Sequence, residues 1–276
     1  MDILQALLKM FFGGGKTAQA PKPAPKPAPK PAAPAPAPKP AATTAPAAPA
    51  PHPQPAPAAP PAAAGHYLDG LRAASPKALT LEQFEKAAAT IGCEPEALLA
   101  VVEVECGSGK PGFDSKGRPV ILFEPHVFSS KTKHVYDKTH PKISYPKWKP
   151  GNYPPPDGVW DNLYAAYELD PVAALASTSW GRFQIMGFNH KICGIGSVQQ
   201  FVETMAQSEE SQLAAFLLFV KGAKLDDELA ACDWAHFAAG YNGPRYAENK
   251  YDIKLAAAYD RYKKESAKRA KKAAKV

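Results

Sequence analysis

Apolar and polar positions divide the chain near residue 65, and downstream of that point apolar residues recur at helical spacing. Thr80-Leu-Glu-Gln83 has the pattern of a capping box and predicts a helix start, with Gly92 as its stop. Pro95 suits a first helical position and predicts a second helix running to about Cys106-Gly107. Arg118-Pro-Val-Ile-Leu-Phe123 is β-rich, follows a Gly/Ser/Lys turn, and predicts one strand of a small hairpin. Residues 138–158 are rich in Pro, Tyr, Trp and Lys and predict a long loop, a feature often tied to function. Further helices are predicted near 160–169, 171–177, 182–189, 197–206, 208–222, 225–239 and 244–262. No internal repeat is visible, so the expected class is mainly α with a small β element.

Upstream the pattern is different. Residues 21–61 hold 18 of the 31 prolines. Alternating proline removes helix and sheet, so residues 16–64 are expected to form an extended Pro/Ala/Lys linker without a core. At about 3.1 Å per residue it reaches on the order of 130 Å. Met1 to Phe12 is apolar with two charges, Asp2 and Lys9, and is too short to span a membrane. Its acidic start and the interruption at Lys9 make it a poor signal peptide, although Thr17-Ala-Gln-Ala20 has some likeness to a cleavage site. The expected organisation is a short apolar N-terminal helix (1–15), the linker (16–64), one globular domain (65–262) and a basic C-terminal tail (263–276).

Charge changes the picture of partners. The net charge is +7, but the linker contributes five lysines and the last sixteen residues a further net seven positive charges, which leaves residues 65–260 at −5. A mildly acidic domain without an aromatic-basic motif argues against nucleic acid as a partner. The basic tail suits an anionic membrane or wall polymer, or is a solvated helix end. Cys93, Cys106, Cys193 and Cys232 form no C-x-x-C pair and are too few for a disulfide framework. His126, His134 and His140 lack zinc-site spacing, and no phosphate-binding glycine loop is present, so neither metal nor cofactor is expected.

Chemistry enters at Leu98-Leu-Ala-Val-Val-Glu-Val-Glu-Cys106. At about 100° per residue from Leu98, Glu105 falls at about 340°, inside the apolar stripe of Leu98, Val101 and Val102. Glu103 falls at about 140°, off the stripe, and is the fallback. A core-facing carboxyl at a helix C-terminus holds its proton more tightly, through burial and the negative end of the helix dipole. A general acid needs that environment. The competing account is a core-edge glutamate satisfied by a salt bridge to Arg182 or Arg245.

Three segments bear a resemblance. Glu105-Cys106, closing an apolar helix, is similar to the Glu-Ser element of goose-type lysozymes and lytic transglycosylases. Ser179-Trp-Gly-Arg-Phe-Gln-Ile-Met186 is similar to the Gly-Leu-Met-Gln-Ile-Met motif of that superfamily, and Ala239-Gly-Tyr-Asn-Gly243 to its Ala-Tyr-Asn-Gly motif. Gly117-Arg-Pro-Val-Ile-Leu-Phe-Glu-Pro-His126, followed by Phe128, resembles more narrowly the N-acetylmuramidase family of phage endolysins. The resemblance covers roughly residues 70–262 and implies a lysozyme-like α+β fold.

It also implies a substrate, peptidoglycan glycan strands, reached in the periplasm or outside the cell by a monomeric enzyme made in the bacterial cytoplasm. Glu105 is then the acid that protonates the glycosidic oxygen. Cys106 stands where the pattern has Ser, and a thiol is a weak donor. Glu124 lines the same cleft in that family. It is either the base that activates water or an anchor for the hairpin. An inverting hydrolase needs a second carboxylate about 6.5–9.5 Å away, a retaining one about 5–5.5 Å. Gln184, Tyr241, Asn242, His126 and Ser179 are the expected substrate-binding set, with capping and core filling as the competing roles. Tyr145, Trp148, Tyr153 and Trp160 either pave glycan subsites or bury the loop. Two rival functions remain: a lytic transglycosylase, which needs a single carboxylate, and a wall-binding protein with an idle acid.

Overall fold

A computed structural model describes residues 66–74, 76–106, 111–149, 153–243 and 246–275. The expected N-terminal helix and linker lie outside the described residues, as does Arg245.

The capping box forms as the sequence predicts. Thr80 Oγ1 accepts the Gln83 N–H at 3.3 Å and Gln83 Oε1 accepts the Thr80 N–H at 2.8 Å, which starts α1 (Leu81–Ile91). Gly92 ends it with φ +76°, a left-handed cap that glycine adopts without strain. Helix α2 (Pro95–Cys106) follows, buries Ala97, Leu98, Val101 and Val102, and delivers Glu105 to its last turn. A three-stranded antiparallel sheet, ordered β1-β2-β3, faces this end of the molecule (β1 Ile121–Phe123, β2 Thr178–Trp180, β3 Ile185–Met186). Ile121 pairs with Trp180 and Phe123 with Thr178, so the two family-like segments run side by side.

The remaining helices are α3 (Pro125–Lys131), α4 (Pro156–Leu169), α5 (Pro171–Ala176), α6 (Val198–Gln207), α7 (Glu209–Gly222), α8 (Asp226–Ala230), α9 (Trp234–Asn242) and α10 (Tyr251–Ala273), of which α4 packs on β1 and α5 on β2. Helix α7 is the centre. Its apolar residues from Leu213 to Val220 are all buried, and Phe216 stacks on Phe183 at 4.3 Å. Helix α10 packs along α2 through Leu255 and Ala258. Among the described residues no helix is long and apolar enough to cross a membrane.

Several expectations are corrected. Residues 182–189 are not a helix: they form a turn, β3 and a short 3-10 helix (Gly187–Lys191). Gly181 at φ +70° and Gln184 at φ +47° break the helical path that the apolar spacing suggested. The predicted helix 225–239 is two helices, α8 and α9, parted at Cys232 with φ +54°. The long loop ends early because Pro156 opens α4, and Pro125 opens the unpredicted α3 directly after β1. The helix expected over 244–262 begins at Tyr251 and continues to Ala273, so most of the basic stretch is exposed helix.

Candidate active site

Glu105 sits in the last turn of α2, half-buried, on the wall of a cavity of about 500 Å³. Phe113, Ile121, Leu122, Pro154, Val159 and Trp160 supply apolar parts of that wall. Arg118 fixes the indole of Trp160 from behind, lying 4.9 Å from its ring centre while bonded to Asp114 and Asp157 at 2.7 Å each. Desolvation raises the Glu105 carboxyl to about 7, against two weaker opposing influences: a hydrogen bond from Asn242 and the charge of Lys254.

Asn242, at the end of α9, donates Nδ2–H to Glu105 Oε1 at 3.0 Å. Its Oδ1 is buried without a partner among the described residues. Tyr241 donates its hydroxyl to the Phe183 carbonyl at 2.6 Å, and its ring packs against Phe216, Phe219 and Phe237. The Tyr-Asn pair therefore ties the end of α9 to the β2–β3 turn with one residue and steadies Glu105 with the next.

Gln184 lines the cavity beside Glu105, but its amide is engaged within the hairpin. Nε2 donates to the Gly181 carbonyl at 2.8 Å and to the Val120 carbonyl at 3.3 Å, and Oε1 accepts from Ser179 Oγ at 2.8 Å. Ser179 is 5% exposed, so it reaches Gln184 rather than the cavity. Glu124 lies outside the cavity lining. It precedes α3, accepts the Tyr153 hydroxyl at 2.8 Å, and lies 3.3 Å from His126 Nδ1. Burial raises its carboxyl, opposed by the Tyr153 hydrogen bond. Glu103, expected to face solvent, is half-buried and pairs with Arg261 of α10.

Two features escaped the sequence. Asp114 is a second carboxylate on the cavity wall, held by the Lys116 and Arg118 N–H groups at 2.9 Å and by the Arg118 guanidinium at 2.7 Å. Behind the cavity lies a buried polar clasp. Glu209, 1% exposed, accepts from Arg182 Nη2 at 2.6 Å, Arg182 Nε at 2.9 Å, the Gly112 N–H at 2.7 Å and the Leu79 N–H at 3.2 Å. Gln212 joins the same two segments, accepting the Arg182 N–H at 2.7 Å and donating to the Gly112 carbonyl at 3.3 Å. Arg182 thus pairs with Glu209, not with Glu105. A signal for the clasp was present: α7 is apolar all round, so polar residues in it had to be buried and paired. Among the described residues no cluster of His, Cys, Asp and Glu is suited to a metal ion.

Comparison with known proteins places this arrangement. The chain aligns with the crystal structure of the Burkholderia AP3 phage endolysin at 39% identity and TM-score 0.61, over 70% of this chain and 73% of that one. No curated protein matches. Residues 94–263, from the turn before α2 to α10, match the family profile described as Muramidase, N-acetylmuramidase. More than half the chain lies within that match, including Glu105 and every other expected site residue, and the chain belongs to the N-acetylmuramidase family.

Proposed function

We propose that the protein is a peptidoglycan hydrolase that cleaves the β-1,4 bond between N-acetylmuramic acid and N-acetylglucosamine, with Glu105 as the general acid. The observation that supports this most is a carboxyl raised to about 7 in an apolar cavity and held by an amide. An acid titrating there keeps its proton on about half of the molecules at neutral pH and can give it to the leaving oxygen, then reclaim one from the attacking nucleophile. Tyr241, Asn242, Gln184 and Ser179 fix the acid and the cavity wall.

Of the two roles open to Glu124, the hydrogen bond from Tyr153 and the position outside the cavity favour anchoring over activation of water. Asp114 is equally engaged, by Arg118. A cavity whose second carboxylate is tied to arginine also favours a second reading. In it the muramic 6-hydroxyl, not water, attacks C1 as Glu105 protonates the departing oxygen, and a 1,6-anhydro ring results. Muropeptide mass spectrometry of purified peptidoglycan separates the two. Reducing N-acetylmuramic acid ends, absent with Glu105→Gln, are the expected result. Anhydro ends would replace hydrolysis by transglycosylation, and undiminished release by Glu105→Gln would remove Glu105 from the chemistry.

A further inference from the structure

The cations at the far end of α10 are not scattered around the helix. From Lys263 to Lys275 there are seven cations and one acid, Glu265. With Lys264 at 0° and about 100° per residue, Lys271, Lys268 and Lys272 fall at about 340°, 40° and 80°. The four lysines form one row, about 12 Å long at about 1.5 Å per residue. The side of α10 that meets the body lies opposite. Leu255 and Ala258, buried against α2, fall at about 180° and 120°, and Lys263, which pairs with Glu94 at 3.0 Å, at about 260°. Ala267, Ala270 and Ala273 continue that side, at about 300°, 240° and 180°. All four lysines of the row are exposed, and among the described residues none has an ion-pair partner. The row thus stands turned away from a body, residues 65–260, whose net charge of −5 would otherwise attract it.

We propose that Lys264, Lys268, Lys271 and Lys272 form a docking row for an anionic phospholipid bilayer. A straight row of ammonium groups on one side of a helix matches a flat array of lipid phosphates, each bound as a point charge. A bilayer meets only the outer side of α10. The acidic body stays behind a helix about 10–12 Å across, beyond the Debye length of about 8 Å at physiological salt, so its repulsion is screened. A nucleic-acid duplex is charged along its whole length and would also run past the acidic body. The row carries no aromatic or arginine to read it. Docking of this kind holds the enzyme at a membrane surface that borders the wall, and it does not depend on the reaction at Glu105.

The test is co-sedimentation of the full-length protein with phosphatidylethanolamine vesicles, with and without phosphatidylglycerol. Binding is expected only with phosphatidylglycerol present, and to weaken as salt rises. Each lysine at an anionic bilayer strengthens binding about fivefold. Replacing all four lysines of the row by Gln is therefore expected to weaken binding by about a hundredfold or more. A second variant keeps the net charge and breaks the row: Lys264→Ala with Ala267→Lys, and Lys271→Ala with Ala270→Lys. It is expected to bind roughly tenfold more weakly than wild type. Both variants are expected to digest purified, lipid-free peptidoglycan at the wild-type rate. Equal binding to vesicles lacking phosphatidylglycerol overturns the proposal, as does binding that either variant retains in full. Tighter binding to a DNA duplex than to the vesicles also overturns it. A loss on lipid-free peptidoglycan as large as the loss on vesicles assigns the row to the wall and removes the bilayer.

Discussion

Glu105, half-buried on the cavity wall, and Glu209, fully buried behind it, are treated in opposite ways. Glu209 has four N–H contacts from three segments and a guanidinium that neutralises it. Glu105 has apolar walls and, among the described residues, one amide donor. A carboxylate given a full set of donors and a counter-charge becomes a structural tie. One given little solvation keeps its proton to near neutral pH and becomes an acid. The clasp and the acid also depend on each other in space: Glu209 fixes Gly112, between the cavity-lining Pro111 and Phe113, and Arg182, inside the turn that carries Gln184.

Breaking each side of the comparison has a different signature. The largest effect falls on activity: Glu105→Gln lowers turnover on peptidoglycan roughly 1,000-fold while the protein stays folded, since general acid catalysis contributes about 10²–10⁴. A loss below tenfold in released sugar ends breaks the assignment. The next falls on stability. Glu209→Ala removes the carboxylate to which buried Arg182 donates from Nε and Nη2, and lowers unfolding free energy by about 3–5 kcal/mol, read from denaturant midpoints. An unchanged midpoint would mean the clasp is not a tie.

The sign of the pH dependence tests Glu105 further. Glu105 has its pKa raised in the fold, from 4.5 to about 7, so the folded state resists its ionisation. The protein therefore loses stability as pH rises from 4.5 through 7, and Glu105→Gln removes that loss. The variant is expected to match wild type at pH 4 and to exceed it at pH 8 by about 2–3 kcal/mol. Equal stability gaps at both pH values would contradict a raised pKa. The smallest effect sharpens the role of Asn242. Its hydrogen bond favours the ionised form, so Asn242→Ala moves the alkaline limb of the rate profile upward by roughly one pH unit. A downward move would mean the amide stabilises the protonated acid instead.

Much of this was legible in the chain because it follows from local rules. The capping box at Thr80, proline at the start of α2, and the placement of Glu105 on the apolar stripe depend on nearest turns of one helix. The turn at 181–184 was not legible. Its apolar residues Phe183 and Ile185 fit a helix, and two left-handed residues decide otherwise. Gly181 has no room for a side chain, since a Cβ there would lie 2.5 Å from Gln212 Cδ. That reason comes from α7, 31 positions away in sequence. The role of Gln184 was half legible. It lines the cavity, but hydrogen bonds to Gly181, Val120 and Ser179 take up its amide, and these depend on the register of three strands. The Glu209 clasp joins residues 27, 97 and 130 positions away, separations that spacing rules do not reach.

The most direct test of the central contrast is the titration of the Glu105 carboxyl itself. Side-chain carboxyl carbons are followed by ¹³C NMR from pH 3 to 9 in wild type, with Glu105→Gln assigning the signal. A midpoint near 7 that is absent from the variant is the predicted result. A Glu105 midpoint near the ordinary 4.5 would contradict it, because a carboxyl ionised at neutral pH has no proton to give to a glycosidic oxygen.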